Sequence, residues 1–183
     1  MTYRTIGCVE MNSIAMGIHT ADEMVKAASV ELVVARPTCP GRYLVMVAGD
    51  TGAVKSSVET GREIGGDMVV DWFLLPSIHP SVLPAMGGTT ISPAVNALGV
   101  IETATVASCI IAADAAAKAG MVDLLEIRFA AGLAGKSFVT MTGDVGSVNA
   151  SVQAGVDGVG DAGPVLSHVV IPSPSPELKD KLI

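Results

Sequence analysis

Few side chains in this sequence are suited to chemistry. Cys8, Cys39 and Cys109 are an odd number of thiols at irregular spacing, which argues against a disulfide framework and fits a reducing compartment. The thiols are therefore expected to be free or metal-bound. Cys39 stands apart, in RPTCPGRY (36–43), a short Pro/Gly-rich break between two apolar runs. Cys8 and Cys109 lie inside apolar stretches and read as small core residues. His19, His79 and His168 are far apart and have no metal-ligand spacing, so each reads as a surface or packing histidine.

Two glycine-rich stretches imitate nucleotide sites. GLAGKS (132–137) would be a phosphate loop only with a glycine at position 130, where the chain has Ala130. The segment after it, FVTMTG, has strand character, so no helix N-terminus is available to meet a phosphate. GVDGVG (155–160) does not follow a strand and reads as a helix C-terminus. No nucleophile-elbow sequence is present. Nothing in the chain reads as an active site, and the expectation is that it is not an enzyme.

The elements that must position these residues come in two copies. IGCVEMNSIAMGIHTADEMVKAASVELVVAR, from Ile6, recurs as LGVIETATVASCIIAADAAAKAGMVDLLEIR, from Leu98. The offset is 92 through Gly7/Gly99, Glu10/Glu102, Asp22/Asp114, Lys26/Lys118 and Arg36/Arg128. It becomes 94 through Gly41/Gly135, Arg42/Lys136, Gly49/Gly143, Asp50/Asp144 and Gly52/Gly146. The loop between these registers is TCPG in the first copy and AAGLAG in the second, so Cys39 is not repeated. A period near 90 suits two similar domains in tandem. The expected division is 1–86 and 97–183, with GGTTISPAVN (87–96) as a linker.

Each copy reads as β-α-β-β-α-β. Tyr3–Val9 has strand character, and Ile14, Ile18, Ala21, Val25 and Ala28 share one helical face, expected to point inward. Thr20 with Glu23 gives a rival start for that helix as a capping box. Val30–Ala35 and Tyr43–Ala48 are strand-like and bracket the cysteine loop. Gly49-Asp50 and Gly143-Asp144 precede amphipathic stretches carrying Val54/Val58 and Val148/Val152. Met68–Leu75 and Val165–Ile171 close the two copies as strands. The fold class is α+β, helices packed on a mainly antiparallel sheet.

Composition excludes several partners. The chain has 183 residues, half of them hydrophobic, and a net charge of −7. That is enough apolar content for a real core, and it leaves no basic footprint for nucleic acid or an anionic membrane surface. No secretory leader is legible, and Glu102 and Asp114 interrupt the most apolar region. A soluble intracellular protein is expected.

The paired ADEMVKAA/ADAAAKAG helices, the GRYLVMVAGDTGAV/GKSFVTMTGDVGSV segments and the LLPSIHP ending resemble the shell-protein domain of bacterial microcompartments, present twice. The resemblance covers nearly the whole chain. It implies a homotrimer whose six domains form a pseudohexagonal tile in the microcompartment shell. Thr38, Cys39, Pro40, Gly41, Gly132, Leu133, Ala134 and Gly135 would line its central pore. It also implies edge contacts with other shell proteins through Lys26 and Lys118, with His79 retained near the edge. The family often has Arg where this chain has Ser77 and Ser173.

Given such a tile, threefold symmetry brings three copies of Cys39 to one axis. Three thiolates there suit three irons of a [4Fe–4S] cluster, leaving the fourth iron to water or another small ligand. The expectation is a shell tile that transfers electrons or delivers a cluster across the shell, with a redox cargo enzyme as a further partner. The alternatives are a plain tile whose pore conducts metabolites, and a small-molecule enzyme or sensor on the same scaffold.

Overall fold

A computed structural model describes residues 5–88, 94–129, 132–160, 163–179 and 181. The first copy contains β1 (Thr5–Met11), α1 (Ile14–Ala27), β2 (Glu31–Thr38), β3 (Arg42–Gly49), α2 (Thr51–Gly65), β4 (Val69–Pro76) and a short α3 (Val82–Gly87). The second repeats the series as β5 (Ala97–Thr103), α4 (Val106–Ala119), β6 (Val122–Phe129), β7 (Ser137–Gly143), α5 (Val145–Val159), β8 (Val165–Ile171) and α6 (Pro176–Lys179). The β-α-β-β-α-β order is observed in both copies. The start of the first strand at Tyr3 and residues 89–93 of the linker lie outside the described residues.

Each copy forms a four-stranded antiparallel sheet, ordered β2-β3-β1-β4 and β6-β7-β5-β8. The central strands are the most apolar because they have a neighbour on both edges; all seven residues of β1 are buried. Glycine explains how helices lie close on them. A Cβ at Gly7 would sit 2.3 Å from a Val58 methyl, and one at Gly99 would sit 2.8 Å from a Val152 methyl. The repeated glycine thus admits the valine stripe of α2 or α5 onto the sheet. Each valine so buried contributes about 1.5–3 kcal/mol.

By compactness the chain divides into two units. One comprises residues 1–78 with 105–108 and 130–135; the other comprises 79–104, 109–129 and 136–183. Each unit therefore takes elements from both sequence copies.

Two local expectations need correction. The inward face of α1 is not the stripe of large apolar residues: Ile14, Ile18 and Val25 are exposed, and Gly17, Thr20, Ala21 and Met24 are buried. Small residues were selected there because a Cβ at Gly17 would come within 2.3 Å of the Cβ of Tyr43, a separation that only glycine allows. The rival start at Thr20 also fails, since α1 begins seven residues earlier with Ser13 accepting from the Met16 N–H at 3.3 Å. At the other end of this copy α3 runs to Gly87, and Val95 is buried in a cluster with Leu98 and Leu125.

Candidate functional site

The cysteine loop is a tight hairpin connection. β2 and β3 pair antiparallel up to Thr38 and Arg42, leaving three residues to reverse the chain. The Gly41 N–H donates to the Thr38 carbonyl at 3.1 Å, the Cys39–Pro40 peptide is cis, and Gly41 has φ +85°. That φ lies in the left-handed region, which glycine enters without steric cost. Cys39 sits at the tip with its thiol free and exposed.

The longer loop of the second copy also turns through left-handed residues, with φ +76° at Gly132, +51° at Ala134 and +93° at Gly135. Leu133 is half-buried between them. The compact unit containing β2 and β3 includes 132–135, and it brings the two loops together. A Cβ on Gly135 would lie 3.1 Å from Pro40 Cδ and 3.6 Å from an Arg42 guanidinium nitrogen. Two segments more than 90 residues apart in sequence are thus neighbours around Pro40.

The other cysteines are core residues. Cys8 and Cys109 are fully buried. Burial pushes the Cys8 thiol well up, with the Glu10 and Asp71 carboxylates adding to the effect. Burial pushes Cys109 up to about 12. A thiol held protonated is a poor metal ligand. No group of three or more His, Cys, Asp or Glu side chains suited to a metal occurs within one chain among the described residues.

Lys26 and Lys118 end α1 and α4 in equivalent places. Lys26 pairs with Asp22 and with Glu23, the latter at 3.2 Å, on an exposed face. Lys118 pairs with Asp114 at 2.5 Å, and Asp114 is buried. Its other carboxylate oxygen accepts from the His79 backbone N–H at 2.7 Å, so His79 and Lys118 meet on one aspartate. The His79 ring lies 2.7 Å from the Ser81 hydroxyl through Nδ1. His19 and His168 lie elsewhere, both exposed.

A buried acidic pair escaped the sequence reading. Glu10 is fully buried in β1. It accepts from Arg42 Nη1 at 2.9 Å, and from the backbone N–H groups of Val106 (2.9 Å) and Ala107 (3.2 Å) at the start of α4. A carboxylate there meets the positive end of a helix and satisfies donors that have no partner in the helix itself. Burial nonetheless raises the Glu10 pKa, outweighing those bonds. Beside it, Asp71 accepts from the Thr105 hydroxyl at 2.5 Å and from the Ser108 hydroxyl at 2.7 Å. The available signal was an acid near the end of an apolar central strand, repeated at Glu102.

These features have close relatives. A family model described as the BMC domain matches residues 5–78 and 97–174. The bacterial microcompartment shell protein PduT of Citrobacter freundii is 43% identical over 171 residues, 93% of each chain. The crystal structure of a microcompartment protein from Desulfitobacterium hafniense DCB superposes with a TM-score of 0.85 at 53% identity, covering 96% of this chain and 98% of that one. The fused permuted hexameric shell protein of the RMM microcompartment shares the fold, with a TM-score of 0.64 at 22% identity, covering 84% and 80% of the two chains.

Proposed function

Because this chain belongs to the BMC-domain family and is a structural shell tile of a bacterial microcompartment, we propose that it is a homotrimeric tile with a [4Fe–4S] cluster on its threefold axis. BMC shell proteins assemble into oligomeric tiles with one another, and a tandem chain supplies two of six similar domains, so three chains close the ring. The chain has no helix long and apolar enough to cross a membrane among the described residues.

The observation that carries the cluster reading is the exposed Cys39 at the tip of a constrained hairpin, where the other two thiols are buried and held protonated. One Cys39 from each of three chains would hold it. Thr38, Pro40 and Gly41 fix the loop backbone around the thiol, and Gly132–Gly135 stands beside it as the rest of the pore rim. Once bound, such a cluster supplies one-electron transfer, or is itself the cargo delivered across the shell. A redox cargo enzyme on one face is the partner this chemistry calls for.

Lys26 and Lys118 belong to the rim of the proposed tile, where each helix presents a lysine at the same register, with His79 beside Lys118.

The test is iron and acid-labile sulfide in protein purified anaerobically. About four irons per three chains are expected. Cys39→Ser should lose the iron and the visible absorbance while keeping the circular dichroism and the solution mass of the parent. A Cys39→Ser protein that retains the iron would remove the axial site from the account.

A further inference from the structure

Glu10 and Glu102 occupy equivalent positions with opposite surroundings. Glu10 is 0% exposed and caps the first turn of α4 within its compact unit. Glu102 keeps an equivalent basic partner, Lys136 at 3.0 Å, yet its side chain is 35% exposed. The residues equivalent to Val106 and Ala107 are Ile14 and Ala15, which open α1 at the surface. An acid and a helix start that are joined in one case stand apart in the other.

The apolar neighbours follow the same division. Val106 and Ile110 are fully buried, while their counterparts Ile14 and Ile18 are 43% and 55% exposed. Leu124 in β6 is buried, in a unit where α3 packs on β6, while Leu32 in β2 is 42% exposed. In β8 and α6, Val169 and Leu178 are exposed where their counterparts Phe73 and Val82 are buried. Among the described residues this leaves two different unpartnered faces. One is built from α1 and β2, the other from Glu102, β8 and α6. Each is one half of a contact whose mated form occurs inside a compact unit.

We infer that the occupant of each face is a second copy of this chain, docked so that Glu102 accepts from the backbone N–H groups of Ile14 and Ala15 of the next copy. The inference rests on the proposed trimer and specifies its contact register. By the same correspondence, the Ser175 N–H of one copy donates to Asp22 of the next, as the His79 N–H donates to Asp114. The two faces differ, so the contact is head-to-tail, the kind that a ring of three copies requires.

The substitutions between copies fit this register. Asp71 corresponds to Ser167, and its donors Thr105 and Ser108 correspond to Ser13 and Met16. The carboxylate is absent where one of its two hydroxyl donors is absent, and a single hydroxyl is left facing Ser13. An aspartate opposite Met16 would be desolvated without a full set of donors, which costs far more than a serine there. The charge sense also agrees, since Glu102 would meet the positive end of α1, whose first turn has no acid of its own.

The test uses Ser13→Cys with Ser167→Cys in the full chain carrying Cys39→Ser, so that no other exposed thiol competes. Asp71 and the Thr105 hydroxyl are 2.5 Å apart in the mated contact, so the cysteine pair should oxidise into disulfide-linked dimers and trimers. Either cysteine alone should stay a single-chain band. Glu102→Gln, at a half-buried strand position, should keep the fold and raise the dissociation midpoint of the assembly at least tenfold. A trimer by light scattering whose cysteine pair does not link, or whose midpoint is unmoved by Glu102→Gln, overturns this register and leaves the trimer standing. A monomeric parent would overturn both.

Discussion

At one helix–sheet position the two copies reach a filled core by exchanging sizes. In the first, Gly17 on α1 faces Tyr43 at the start of β3, with room for nothing beyond a hydrogen. In the second, the equivalent residues are Cys109 and Ser137, both fully buried. A glycine with a tyrosine became a cysteine with a serine, so the larger side chain shrank where the smaller one grew. The comparison gives Cys109 a packing role: a side chain larger than glycine, fully buried, where the tyrosine has become a serine. The acids teach the converse lesson. Glu10 and Glu102 were kept alike while their surroundings diverged, because they serve contacts of one kind.

The largest effect that can break this contrast is Glu10→Ala. It leaves Arg42 and two helix N–H groups without a buried carboxylate, so unfolding free energy should fall by about 3–5 kcal/mol. Its counterpart Glu102→Ala should show a loss that grows as protein is diluted, because it acts on association. Equal, concentration-independent losses in denaturant melts would show that the two acids do the same work.

Next in size is Gly17→Cys, which imports the second copy's residue into the first. It should cost about 1–3 kcal/mol by overpacking against Tyr43. Pairing it with Tyr43→Ser should cost less than the sum of the single changes, and strict additivity would refute the size exchange. The complementary Cys109→Ala should cost about 1 kcal/mol, with no effect on iron content.

Titration sharpens the comparison further. The folded-state pKa of Glu10 is raised by burial, so the folded protein binds its proton more tightly than the unfolded chain does. The stability this contributes is complete below the ordinary glutamate value and is lost as pH rises through the folded one. Glu10→Gln should flatten the stability profile in that window. Asp144 is lowered by its bonds from the Ser147 hydroxyl and N–H, so its contribution is present above the ordinary aspartate value and disappears as pH falls. Asp50, the same cap in the first copy, makes no such side-chain bond. Asp144→Ala should therefore lower the melting temperature more than Asp50→Ala, and the reverse order would contradict the capping assignment.

The smallest effect on stability belongs to Lys26→Ala combined with Lys118→Ala. The Lys26 pairs are exposed, and the buried Asp114, on losing Lys118, keeps its bond from the His79 N–H. The melting temperature should hardly move while sheet formation at high protein concentration weakens. Sheets formed as readily as by the parent would remove both lysines from the rim.

The order of elements along the chain was legible because strands and helices advertise themselves by period, and the duplication gave each element a second reading. The hairpin around Cys39 was legible from its prolines and glycine. The buried face of α1 was not, because size was taken as a guide to burial. Ile14 and Ile18 are large and apolar yet exposed, and Gly17 is buried because Tyr43 fills its side of the interface. The role of Glu10 was hidden for a related reason. Two of its three donors lie almost a hundred residues away, on backbone groups that carry no sequence signature.

The central claim is that two unlike halves of one chain make a tile only when copies join. Molar mass by light scattering at micromolar concentration tests it most directly. A mass three times the 18.5 kDa of the chain is predicted, and a particle of one chain or of two would contradict it.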